Sequence, residues 1–73
     1  MELKERVKAY INYLFSFDLK NIDTVTVEVT KELENDVTLI GNDWDHLDGF
    51  IFTDLVHKAM DKVESRDPQL FTQ

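Results

Sequence analysis

Apolar residues near the start of the chain recur with helical spacing. Leu3, Val7, Tyr10, Ile11, Leu14 and Phe17 follow one another at steps of four, three, one, three and three. At about 100° per residue these positions share one stripe, which predicts an amphipathic helix over residues 2–17. Glu2 and Glu5 fall in its first turn, where the helix dipole favours negative charge. Tyr13 and Phe15 flank the stripe, so the end of this helix is apolar on more than one side. That surplus calls for a wide core or a second contact.

The period then changes. Residues 23–30 alternate strictly, with Val25, Val27 and Val29 on one side and Thr24, Thr26, Glu28 and Thr30 on the other. Strict alternation of β-branched residues predicts a half-buried strand. Asn35-Asp36 carries turn chemistry, and Val37 and Leu39 resume the inward parity until Gly41-Asn42 breaks it. Two alternating runs with a short polar link predict an antiparallel hairpin.

Residues 45–53 fit no helix that continues to Ser65. Leu47, Phe50 and Ile51 would cluster on one side of it, while Phe52, Val56, Ala59 and Val63 would cluster roughly 150° away. Asp48-Gly49 is a turn dipeptide and residues 50–53 have strand composition, so a short third strand is expected there. Thr53 would then cap a second helix whose buried stripe is Leu55, Val56, Ala59, Met60 and Val63. Pro68 ends it, and Leu70 and Phe71 are expected to fold back onto the core.

The expected fold is therefore α+β, in the order α-β-β-(β)-α, with two helices packed on one face of a small antiparallel sheet. Residues 1–67 would form a single domain and residues 68–73 a short tail. The order resembles that of double-stranded RNA-binding domains, without their basic phosphate-contacting residues; the resemblance implies a shared topology and nothing about activity.

Charge adds what the pattern does not show. The formal net charge is −7, and it lies in the middle of the chain. Residues 21–57 hold nine carboxylates against one basic residue, Lys31, whereas residues 1–20 carry +1 and residues 58–73 are neutral. A concentrated negative surface repels nucleic acid and membrane lipid and attracts basic partners. There is no cysteine, which excludes disulfides, thiolate chemistry and the common zinc-finger ligand sets. No apolar run reaches the roughly 18 residues that span a bilayer, and no signal-peptide pattern follows Met1, so a cytoplasmic protein is expected.

Candidate chemistry is sparse. Asp43, Asp45, Asp48 and Asp54 have the flavour of a calcium loop, but Leu47 stands at the fifth position, Asp48 at the sixth and Gly49 at the seventh. An EF-hand needs oxygen ligands at positions 1, 3 and 5, glycine at 6 and glutamate at 12. A weak divalent-cation module remains an alternative; no metal or other cofactor is expected. His46 lies beside Asp45 and Asp48, but neither it nor His57, Ser16 or Ser65 sits in a nucleophile or phosphate-loop context, so no catalytic residue is assigned. Trp44, flanked by Asp43 and Asp45, serves either as a lid on a small core or as a contact anchor.

The remaining acids gain meaning from strand geometry. Side chains two apart on a strand share a face at about 6.8 Å, so Glu28, Glu32, Glu34 and Asp36 would form a row of negative charge. Together with Asp43, Trp44, Asp45, Asp48 and Asp54, that row is expected to bind a basic, nucleic-acid-binding surface of a partner protein without itself binding nucleic acid. In size, charge and lack of catalytic residues the chain is similar to the small anti-restriction and anti-CRISPR proteins of phages, a likeness of class that implies an inhibitor. The alternative is a homo-oligomeric structural or regulatory protein whose acidity serves solubility.

Overall fold

The computed structural model describes residues 2–36 and 47–71. Helix α1 spans Leu3–Leu14, α2 spans Ile22–Asn35 and α3 spans Gly49–Arg66; a 3₁₀ turn, Pro68–Phe71, follows. The described residues contain no strand. The α+β expectation and its antiparallel sheet are thus replaced by a three-helix bundle. The expected second strand, residues 37–40, lies outside the described residues.

The first strand becomes α2 because period two and period 3.6 coincide at a spacing of four. Val25, Val29 and Leu33 satisfy both, but only a helix adds Ile22 to the same stripe. Val25, Val29 and Leu33 are buried, together with Thr26 and Thr30, while Val27 sits at the edge of the face. Seven of the fourteen residues of α2 are β-branched. At roughly 0.5 kcal/mol each relative to alanine, their helix penalty is about 3–4 kcal/mol. Burying a Val or Leu side chain returns about 1.5–3 kcal/mol, so three such residues outweigh the penalty. Tertiary burial wins over local propensity.

The third strand is corrected as well. Residues 50–53 form the first turn of α3, and the helix begins four residues earlier than the expected cap at Thr53. Its N-cap is Asp48, whose Oδ1 accepts from the backbone N–H of Phe50 at 2.8 Å and of Ile51 at 3.4 Å. Thr53 instead donates its hydroxyl to the Phe50 carbonyl at 3.1 Å. The helix faces its core with Phe52, Val56, Ala59, Met60 and Val63.

Side-chain pairings give the direction of the helices. Arg6 of α1 stacks on Phe52 of α3, Tyr10 meets His57, and Phe15 meets Phe71, so α1 and α3 point the same way. The start of α2 lies by the end of α3, where Thr24, Val63, Arg66 and Leu70 surround one hollow. Helix α2 therefore runs back between the other two. Its residues meet Val7 and Ile11 from α1, Leu19 from the connection, and the α3 stripe in one core. Leu70 and Phe71 pack against that core, which holds the end of the described chain in place.

Helix α1 stops at a backbone motif made without glycine. The Phe17 N–H donates to the Asn12 carbonyl at 3.0 Å and the Ser16 N–H to the Tyr13 carbonyl at 3.4 Å. This is the Schellman pattern, which needs a left-handed residue after the cap. Ser16 and Phe17 both adopt that conformation, with φ of 52° and 64°.

Candidate interaction surface

A helical α2 rearranges the acids expected to form a row. Glu28 and Glu32 lie one turn apart on the side facing α3, where both meet Arg66. Glu28 is 3.7 Å from the guanidinium and 3.8 Å from Lys31. Glu34 stands about 160° around the helix from Glu32, at 100° per residue, and is exposed. Asp36 caps the C-terminal end of α2. The 6.8 Å pitch of a strand face does not arise, and the structure brings together only Glu28 and Glu32.

The other expected contacts have separate roles. Asp48 caps α3, and Asp54 pairs with Lys58 at 3.1 Å on the exposed face of that helix. Asp43, Trp44, Asp45 and His46 lie outside the described residues. His57 shares a hydrogen bond of 2.8 Å with the Tyr10 hydroxyl and stands edge-on to its ring, which ties α1 to α3. Among the described residues, no three Asp, Glu, His or Cys side chains converge in a way that could hold a metal ion.

Two kinds of surface stand out from this rearrangement. The first is a concentration of charge. Glu34, Asp36 and Asp48 stand where α2 ends and α3 begins, at the same end of the bundle. In the sequence, residues 33–48 hold five carboxylates and no lysine or arginine. Arg6 fastens this end from the side of α1: it donates to the Leu47 carbonyl at 3.1 Å and its guanidinium lies 4.1 Å from the centre of the Phe52 ring.

The second is apolar. Phe50 is 88% exposed and Ile51 is 53% exposed, both in the first turn of α3 and beside its capping carboxylate. Asp48, Gly49, Phe50 and Thr53 border an open hollow of about 400 Å³. The acid-flanked aromatic expected at Trp44 thus has a described counterpart at Phe50, which no expectation placed at the surface. Its signal was already present in the chain. Phe50 and Ile51 fall out of phase with the core stripe, and a helix accommodates that mismatch by turning them to water.

The other end of the bundle differs. There Arg66, held by Glu28 and Glu32, lines a polar hollow of about 270 Å³ with Thr24, Val63, Asp67 and Leu70. Tyr13 and Phe17 are exposed near the end of α1. Among the described residues, no helix is long and apolar enough to cross a membrane. Comparisons of the chain with protein-family models, with curated proteins and with solved structures find no match, so its functional reading rests on its own residues.

Proposed function

We propose that this protein is a non-enzymatic interaction module whose acidic pole docks on a basic surface of a partner protein and occupies it. The observation that carries the reading is the exposure of Phe50 and Ile51 at the end of the bundle where Glu34, Asp36 and Asp48 stand, in a sequence stretch, residues 33–48, with five carboxylates and no Lys or Arg. Exposed aromatic residues are typical anchors of protein interfaces, and surrounding charge steers the encounter and excludes wrong partners. A surface that normally receives nucleic acid has the complementary charge, so the partner is a nucleic-acid-binding protein and the consequence is inhibition. The inhibitor blocks the site as a docked body; among the described residues, helical geometry offers no carboxylate row with which to imitate a phosphate backbone. The described polar groups support the non-enzymatic part: His57 bonds Tyr10, Asp48 caps a helix, and Glu28, Glu32 and Asp54 pair with cations.

The test is capture of partners on the immobilised protein, in parallel with its Phe50→Ser and Glu34→Lys variants. The expected captured set is basic, is released by excess duplex DNA, and is depleted strongly by Phe50→Ser and, at low salt, modestly by Glu34→Lys. Affinity for the purified partner should fall by roughly 30-fold in Phe50→Ser, which corresponds to about 2 kcal/mol for a lost aromatic anchor. Capture of the same set by all three proteins, or a set that DNA does not release, would overturn the reading.

A further inference from the structure

We propose that the hollow at the start of α3 receives an arginine side chain of the partner protein, stacked on the Phe50 ring and hydrogen-bonded to the Asp48 carboxylate. The proposal rests on the basic-partner reading and deepens it, because it names the side chain that the site selects. Three features of the site point to a guanidinium.

The first is the set of groups that border the hollow. Asp48, Gly49, Phe50 and Thr53 line it, and its volume of about 400 Å³ lies in the range of sites for small organic groups. The Asp48 Oδ1 accepts from the Phe50 and Ile51 amides, and among the described residues Oδ2 has no partner. The Thr53 hydroxyl donates to the Phe50 carbonyl, which leaves the Thr53 oxygen as an acceptor. These side chains thus offer a negative charge, a neutral acceptor and the face of an aromatic ring, with no spare donor. A guanidinium is the complement of that set. It has five N–H donors in one plane, no acceptor, a permanent positive charge and a flat face that stacks on aromatic rings. An ammonium matches the charge but not the plane.

The second is room. A Cβ at Gly49 would meet nothing within 4 Å, and the backbone there is not left-handed. No contact within the molecule therefore requires glycine at this position, although glycine weakens a helix. A bare backbone leaves the hollow open beside the Phe50 ring, where a flat group can lie.

The third is a precedent within the molecule. The Arg6 guanidinium lies 4.1 Å from the centre of the Phe52 ring and donates to the Leu47 carbonyl at 3.1 Å. The start of α3 thus already holds one guanidinium between a ring face and an oxygen acceptor. Phe50 stands about 200° around the helix from Phe52, so its ring offers the same kind of face to another molecule. Charge favours that guest, since Glu34, Asp36 and Asp48 stand at this end of the bundle.

An amide-shift titration of the isotope-labelled full chain with two peptides tests the proposal. Both are alanine–glycine peptides, one carrying spaced arginines and the other lysines at the same positions. The arginine peptide should shift the amides of Gly49, Phe50 and Thr53 and bind about three- to tenfold tighter than the lysine peptide. Phe50→Leu keeps an apolar side chain without an aromatic face, and it should reduce the arginine peptide to the affinity of the lysine peptide. Gly49→Leu fills the hollow and should do the same. Neither variant should melt earlier than the parent, because Phe50 is exposed and the space at Gly49 is open. Equal affinities for the two peptides, an arginine preference that survives both substitutions, or shifts confined to residues outside the first turn of α3 would each overturn the arginine site. The basic-partner reading is tested separately, by capture with Phe50→Ser. A partner that this variant loses, together with equal binding of the two peptides, would overturn the arginine site alone.

Discussion

Helix α2 and the first turn of α3 break the usual inside–outside rule in opposite senses. Helix α2 buries the hydroxyls of Thr26 and Thr30, and neither oxygen has a hydrogen-bond partner among the described residues. The first turn of α3 exposes Phe50 and Ile51 to water. The two departures carry different information. A buried hydroxyl facing other helices reaches no ligand and affects stability alone. An exposed ring at an acidic pole weakens nothing in the core, and it is available to another molecule. Buried polar groups and exposed apolar patches are both informative, but only the second kind marks a contact.

The sharpest way to break this comparison uses two phenylalanines on the same helix. Phe52 is 3% exposed and lies against Arg6 and Tyr10, whereas Phe50, two residues earlier, is 88% exposed. Phe52→Ala should cost about 3–5 kcal/mol through lost burial and a new cavity. A domain of this size has little more than that to lose, so the variant should be largely unfolded at ambient temperature. Phe50→Ala should change stability by no more than about 0.5 kcal/mol. Urea unfolding of both variants checks the pair. Similar losses in both would mean that Phe50 is a core residue, and the contact surface at the pole would lose its anchor.

The buried hydroxyls allow the reverse test. Valine has nearly the shape of threonine without its polar group, so Thr26→Val and Thr30→Val remove an orphan donor and leave no cavity. An unsatisfied buried polar group costs about 1–3 kcal/mol, and each substitution should stabilise the protein by about 1 kcal/mol. Chemical denaturation should show a higher midpoint with an unchanged slope. A loss of stability would reveal a partner for these hydroxyls and would make α2 an ordinary satisfied helix, leaving α3 as the one exception.

The cap of α3 connects stability to the exposed turn. Asp48→Ala removes an acceptor shared by the Phe50 and Ile51 amides, which should cost about 1 kcal/mol. The loss should be local, because the first turn frays while Val56 and Met60 remain packed. Amide exchange at residues 50–53 should therefore accelerate more than at residues 56–63. Asp48→Asn keeps the cap without the charge and should restore most of the protection. Uniform acceleration along α3 would place the first turn within the cooperative core.

The same regions explain how far the chain could be read without coordinates. The first helix was legible, since Leu3, Val7, Ile11 and Leu14 have no competing period; it ends three residues short of Phe17 because the chain turns left-handed at Ser16. Helix α2 was not legible as a helix: alternation of Val and Thr mimics a strand, Leu33 fits either period, and the decisive partner of the stripe, Ile22, lies before the alternating run. The first turn of α3 was misread for a different reason. The phase mismatch of Phe50 and Ile51, the turn dipeptide Asp48-Gly49 and the composition of residues 50–53 all suit a short strand. A helix accommodates the same mismatch by leaving Phe50 and Ile51 exposed, which makes it the signal for a contact surface. Of the candidate site, the acidity of the central segment was visible in the sequence, but the pairing of Glu28 and Glu32 with Arg66 depends on the bundle.

The smallest expected effect concerns charge, and it tests whether the acidic pole acts as a local feature. Glu34 is exposed at the end of α2 near the pole, and Glu64 is exposed near the far end of α3. Glu34→Lys and Glu64→Lys change the net charge of the protein by the same amount. Neither residue is buried, so stability should move by no more than about 0.5 kcal/mol in either variant. Steering by charge at an interface rim acts mainly on the rate of association. Glu34→Lys should therefore slow association with a basic partner by roughly two- to fivefold at low salt, and Glu64→Lys should slow it less. Both effects should fade as the Debye length falls from about 30 Å at 0.01 M to about 8 Å at 0.15 M salt. Dissociation should be unaffected by either change, in contrast to Phe50→Ser, which should speed it. Stopped-flow measurements across a salt series distinguish these outcomes. Equal slowing by the two variants would mean that net charge alone matters, and the exposed turn of α3 would then owe nothing to the acids around it.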